Sequence, residues 1–297
     1  MKPIKMILAA ALALLLCGCA PAQESGQVAA TTLPVWEFSQ RLCEGTSITV
    51  TRLVTEQVSC LHDYSLNVRQ VKAAESAEVV VISGAGLEDF LEDLLLDAPT
   101  IDASAGIELI CAEEEGHDHE EGEEHHHEGH HHEEAPHIWL DPENAKVMAQ
   151  NICDGLSRQY PGYAQVFQNN LSGLLADLDA LQAYGKDTLG ALNCRDLITF
   201  HDGFSYFARA FDLNIVKAVE EESGSEASAK ELIELIEIVE EHRLPAIFTE
   251  VSGSTSAAGV IARETGCRSF ALDMAMSGDS YFDTMYHNID TIKETMG

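Results

Sequence analysis

The stretch LITFHDGFSYFARAFDLNIVKAV, residues 197–219, decides the fold class. Residues 197–201 read as a short apolar strand, 206–211 as a helix and 215–219 as a second β-rich run. Strand, helix and strand at this spacing indicate a βαβ unit and therefore a parallel sheet. Ligands of open α/β sheets bind beyond the carboxyl ends of the strands. His201 stands at such an end.

The alternation continues on both sides of this unit. Downstream, Ser228 and Glu231 form a capping box for a helix running to Arg243. A strand at 246–249, a helix near 257–265 and a last helix from about Tyr281 follow. Upstream, residues 48–54 (ITVTRLV) and 78–83 (EVVVIS) are rich in β-branched residues and short enough to be buried strands. Ser65 is placed to cap a helix through Ala74, residues 87–95 read as a further helix and 108–111 as a strand. Between the two halves, Asp141-Pro142-Glu143 is a helix start with its cap, its first-turn proline and an acidic residue in order. A long helix begins near Pro161. Its apolar positions Tyr163, Phe167, Leu171, Leu174, Leu178 and Leu181 step by three or four and form one stripe. At about 28 residues it would run some 40 Å, enough to link two lobes rigidly.

The expected fold class is therefore α/β: two lobes, each a mostly parallel sheet flanked by helices, joined by a long rigid helix with a cleft between them. The expected boundaries are 31–157 for the N-terminal lobe, 158–192 for the connecting helix and 193–297 for the C-terminal lobe. Ahead of them the chain reads as an export signal. Lys2 and Lys5 precede an apolar core from Met6 to Leu16, too short to span a bilayer. The core runs into Leu16-Cys17-Gly18-Cys19-Ala20, which is similar to a bacterial lipobox with Cys19 as the lipidated residue, so 1–19 is the expected signal peptide. Residues 20–30 (APAQESGQVAA) are small and polar and suit a flexible tether. Six cysteines remain after the signal (Cys43, Cys60, Cys111, Cys153, Cys194 and Cys267), and their spacing does not choose a pairing. No CxxC pair occurs, which argues against a cysteine-based zinc site. The formal charge of −33 excludes a nucleic-acid binder, because phosphate needs the opposite sign.

Much of that charge is concentrated in one place. Residues 113–134, EEEGHDHEEGEEHHHEGHHHEE, hold eight histidines and eleven acidic side chains with only glycine besides. With no apolar residue the run cannot bury a face, so solvation is expected. Neutral imidazoles bind transition metals and the carboxylates add negative field, so His117, His119, His125, His126, His127, His130, His131 and His132 read as an accessory reservoir for divalent metal, zinc first.

Three further histidines lie apart from the run, each beside an expected strand end: His62 in CLHDYSLNVRQV, His137 in HIWLDP and His201. Asp273 in FALDMA occupies a similar position. Three imidazoles and a carboxylate make a four-coordinate nitrogen–oxygen set suited to zinc. Asp63 and Asp202, each following a candidate ligand, read either as acceptors that orient the imidazoles or as caps of the next helix.

HDYSLNVRQV, the histidine-acid run, HIWLDP, TFHDGFSYFARAFDL, SEASAKELIELIEIVEEHRLPAIFTE and FALDMAM, in this order, resemble the zinc-binding solute receptors of ABC importers, the ZnuA- and AdcA-like group of the TroA-like family. The resemblance covers nearly all of the chain after the signal. It implies two α/β lobes with Zn2+ held between them, a monomer lipid-anchored outside the cell membrane, and delivery to a membrane permease driven by an ATPase. By motif, His62, His137 and His201 take the places of the family's three histidine ligands and Asp273 that of its carboxylate. Relatives specialised for manganese tend to carry a carboxylate where His201 stands. Two departures concern the fourth ligand: FTEVSG replaces an FTE-P-Q type segment, and LDMAM replaces the common LDPL. Glu250 and water are the alternatives to Asp273.

Two other classes share some of these motifs. His127-Glu128-Gly129-His130-His131 matches the HExxH pattern of zinc hydrolases, but that pattern needs a helix with both histidines on one face. Here it sits among glycines and histidines without an apolar stripe and reads as a product of composition, so no enzymatic activity is expected. A passive zinc buffer or an adhesin-like surface protein would share every motif, and only a cognate permease separates it from a transport receptor.

Overall fold

A computed structural model describes residues 27–58, 61, 64–91, 98–110, 135–219 and 227–297. The signal and lipobox with Cys19, the histidine-acid run and its HExxH match, His62, Asp63, Cys60 and Cys111 lie outside the described residues.

The first sheet contains β1 (Val28–Ala30), β2 (Val50–Arg52), β3 (Val79–Ile82) and β4 (Thr100–Asp102), in the order β2-β1-β3-β4 with every pair parallel. The second contains β5 (Asp196–Thr199), β6 (Asn214–Ala218), β7 (Ala246–Glu250) and β8 (Arg268–Leu272), in the order β6-β5-β7-β8, again all parallel. The two sheets share one topology. In each, the order reverses between its first and third strands, which makes a crevice at the carboxyl edge.

Most elements fall where local pattern places them, and four do not. Val28–Ala30, within the stretch expected as a tether, is a central strand with every residue fully buried. Small residues are what a strand packed on both faces accepts, and composition could not tell them from a linker. The helix α1 (Leu33–Leu42) follows at once, with Pro34 in its first turn. The cap of α2 (Val68–Ser76) is Asn67 rather than Ser65: its side chain accepts from the backbone of Arg69 and Gln70, and Gln70 reciprocates in a capping box. The fourth strand is Thr100–Asp102, not 108–111; residues 107–110 have no regular structure. Of the expected helix at 87–95, Asp89–Leu91 form a 3₁₀ turn and 92–95 lie outside the described residues.

The connecting elements follow their signals. Asp141 caps α3 (Pro142–Gln159) by accepting from Glu143 N, with Pro142 at the first position. Proline has no N–H to leave unsatisfied there. The long helix α4 (Ala164–Leu189) has 26 residues, about 39 Å. Phe167, Leu171, Leu174, Leu178 and Leu181 are all buried along it, while Tyr163 closes the preceding 3₁₀ turn. α4 packs on α1 and α3 beside the first sheet. It also packs on α5 (Ser205–Phe211) and α8 (Tyr281–Met296) beside the second. A continuous apolar core therefore runs from Val28 and Phe38 through Leu174 and Leu178 to Phe248 and Ile289. The outer face of the second sheet is covered by α6 (Ala229–His242), with its Ser228–Glu231 capping box, and α7 (Ser256–Thr265). No helix among the described residues is long and apolar enough to cross a membrane.

At the crevice of the first sheet, Gly84, Ala85 and Gly86 all have positive φ and turn the chain sharply after β3. A Cβ at Gly84 would lie 2.0 Å from Asp102 Oδ1, so only glycine fits. The turn brings Glu88 back into the crevice, where its carboxyl group accepts from Thr31 Oγ1 (2.6 Å), Ser83 N (2.7 Å) and Gly84 N (3.0 Å). The chain fills this crevice with its own side chain. The crevice of the second sheet is left to other groups.

Candidate metal centre

Three carboxyl ends meet at the edge of the second sheet. β5 ends two residues before His201, β7 ends on Glu250 itself, and Asp273 follows β8 directly. Because β5 and β7 are neighbours across the reversal of strand order, His201 and Glu250 face each other. Phe200 N donates to Phe248 O at 2.9 Å and closes the pair just below them. His201 Nε2 lies 4.0 Å from Glu250 Oε1, and Glu250 is only 5% exposed. At 4.0 Å this is not a hydrogen bond. Two donors bound to one zinc at about 2.0–2.1 Å and the tetrahedral angle lie roughly 3.3 Å apart. The pair is close to the spacing of two ligands sharing one ion.

His137 reaches the same place from the other side. It ends the connection into the 3₁₀ turn Ile138–Leu140, which leads into α3, and it is 1% exposed. Its ring meets that of His201 edge to face, with centroids 5.2 Å apart and planes at 82°. The structure thus brings together two of the three expected histidines, whose positions in the chain are 64 apart.

Asp273 and Glu250 line one cleft, which Gln57 and Val58 of the first lobe line as well. Its Oδ1 accepts from Ala275 N at 2.8 Å, and its backbone is held on both sides by the Asn288 side chain. Burial raises its pKa, against the Ala275 N–H and the nearby His287, which lower it. Among the described residues no three His, Cys, Asp or Glu side chains converge closely enough to hold a metal ion by themselves. The constellation read from sequence includes His62, of which only the flanks are described. Leu61 is fully buried, and Tyr64 N donates to its carbonyl. Tyr64 Oη donates to Glu56, and Gln70 Nε2 bonds Glu56, Tyr64 Oη and the Leu53 carbonyl. Tyr64 hydrogen bonding also lowers the Glu56 pKa, so a charged acceptor anchors this network.

Other expectations resolve as follows. Asp202 accepts from Ser205 Oγ at 3.2 Å and does not cap α5, whose N-cap is Phe204. Cys43, Cys153, Cys194 and Cys267 are free thiols. In the sequence Glu250 stands one residue past the expected strand 246–249 and second to Asp273; in the structure it ends β7, which pairs with β5 and so faces it toward His201. Gly203 was not singled out. A Cβ there would meet Met274 Cε at 2.2 Å and His201 Cδ2 at 2.7 Å, so its bareness leaves room for both side chains.

Comparison with known proteins points to one family. The chain is 29% identical over 314 residues to the zinc-binding lipoprotein AdcA of Streptococcus pneumoniae, covering 99% of this chain and 61% of that protein. It therefore spans about three fifths of the length of that relative. Among solved structures, ZnuA superposes with a TM-score of 0.76 at 26% identity, covering 91% of this chain and 99% of that one. The Zn(II)-bound ZnuA-like domain of Streptococcus pneumoniae AdcA gives 0.74 at 25% identity, covering 91% and 98%. The sequence profile of zinc-uptake complex component A, periplasmic, matches residues 28–295, nearly the whole described chain, and the protein belongs to that family.

Proposed function

We propose that this protein is an extracytoplasmic receptor that captures Zn2+ in the cleft between its lobes and hands it to an ABC permease driven by a cytoplasmic ATPase. The observation that carries the reading is that His201, at the strand-order reversal of the second sheet, meets the His137 ring on one hand and approaches the buried Glu250 carboxylate on the other, in a member of a zinc-uptake family. His62, His137 and His201 supply imidazole nitrogen, and a carboxylate completes a closed set of four with no position left for a reacting water. Such a set holds and releases an ion. It does not hydrolyse a substrate. Asp273 takes the carboxylate place by motif; the 4.0 Å approach of Glu250 to His201 supports Glu250 as the second candidate. The histidines of 113–134 act as an accessory, weaker reservoir, and lipid on Cys19 anchors a monomer to the membrane surface.

Metal analysis of the purified chain with competitive titration of zinc against manganese tests the cleft. One tight zinc per chain, lost in His137→Ala and His201→Ala, is expected, and Asp273→Ala against Glu250→Ala assigns the fourth ligand. Stoichiometric zinc retained in both histidine variants under a moderate chelator would refute the site. Loss of zinc-dependent growth on deletion separates transport from passive buffering or adhesion.

A further inference from the structure

Trp139 joins the segments that carry the two halves of the proposed site. His137 stands two residues before Trp139, and their rings meet edge to face with centroids 5.5 Å apart. Trp139 is fully buried, and its Nε1–H donates to the Met274 carbonyl at 2.8 Å across 135 residues of chain. Met274 is the neighbour of Asp273, and its side chain and that of His201 both come against Gly203, where a Cβ would lie 2.2 Å from Met274 Cε and 2.7 Å from His201 Cδ2. His137, Trp139, Met274, Gly203 and His201 therefore form a closed circuit, completed by the direct contact of the two imidazoles. On its other side Trp139 is held as well, because Tyr281 Oη donates to its carbonyl at 2.8 Å.

We infer that Trp139 is a positioning residue for metal capture: its indole N–H locks the segment carrying His137 onto the strand-end segment beside His201. This rests on the proposed role of His137 as a ligand. The chemistry explains the residue type. Phenylalanine would keep an aromatic ring there but offer no donor, and a buried carbonyl left without one is costly. A ligand pair brought together by remote parts of the chain binds tightly only if its geometry is held before the ion arrives. Groups that orient metal ligands from behind typically change metal affinity by about 10–100-fold when removed.

The test uses the full chain and zinc alone, with affinity measured by chelator competition and folding followed separately by thermal unfolding of the metal-free protein. Trp139→Phe keeps a ring against His137 and loses the N–H; zinc affinity is expected to fall about tenfold. In the His137→Ala background the same change is expected to alter affinity less than twofold, because the ligand it positions is gone. If Trp139→Phe folds poorly, β-(3-benzothienyl)alanine at position 139 keeps the two-ring shape and removes only the donor. It is expected to reproduce the tenfold loss. An equal loss with and without His137, or an isostere that binds zinc as tightly as tryptophan, overturns the inference. Undiminished affinity in His137→Ala alone would instead overturn the ligand assignment, and that outcome is visible before the double variant is made.

Discussion

Glu88→Gln gives a prediction with an unusual pH signature. The carboxyl group of Glu88 is buried at the first sheet's crevice, and burial raises its pKa from 4.5 to about 7, partly opposed by Thr31, Ser83 and Gly84 as donors. In the unfolded chain it titrates near 4.5. The folded state therefore binds the proton more tightly than the unfolded one, and stability from this group is fully present below about pH 4.5 and lost as pH rises to about 7. At 1.36 kcal/mol per pH unit the loss is on the order of 3 kcal/mol. Glutamine cannot titrate, but it offers one acceptor oxygen where the carboxyl group has two, and it turns an amide N–H₂ toward a backbone donor. That mismatch costs about 1–3 kcal/mol at every pH. The parent should thus be more stable than Glu88→Gln at pH 4.5, with the margin shrinking to zero or reversing by pH 7.5. Urea unfolding of both metal-free proteins across this range measures it, and the difference between them cancels the other titrating groups. A margin that is constant, or that widens with pH, would refute the reasoning and show that the three donors outweigh burial.

Three further outcomes are expected. Deleting 113–134 should leave one tight zinc site and remove only weaker zinc, because the cleft histidines lie outside that run; equilibrium dialysis at graded zinc concentrations reads both classes. His201→Glu should shift preference toward manganese, since a hard oxygen replaces a borderline nitrogen, and an unchanged zinc-to-manganese affinity ratio would show that this position does not discriminate. Gly203→Ala should weaken zinc severalfold by pressing on Met274 and His201, whereas Gly185→Ala, whose Cβ would meet Phe211 at 2.1 Å in the core, should cost about 1–3 kcal/mol of stability and leave zinc affinity unchanged.

The sequence alone carried whatever depends on near neighbours. The Asp141-Pro142 start of α3, the Ser228–Glu231 box of α6 and the apolar stripe of α4 are signals spaced one to four residues apart, and each appears where its pattern puts it. The βαβ alternation is equally local, and with it the parallel sheets. His201 was legible because it follows a strand end, whereas His137 precedes a 3₁₀ turn, not a strand end, and was legible from the HIWLDP motif.

Tertiary structure decided what depends on distant partners. Val28–Ala30 becomes a central strand only because Val50 and Val79 pair with it on either side; alone, three small residues carry no strand signal. Asn67 wins the cap of α2 from Ser65 because the Glu56, Tyr64 and Gln70 network holds the segment in that register. Glu250 reaches His201 because β7 inserts between β5 and β8, an order no local pattern encodes. The Trp139 bond to Met274 spans 135 residues in the same way. Periodicity and capping are contacts within one or two turns of chain, whereas strand order and the convergence of side chains are set by which buried surfaces fit together.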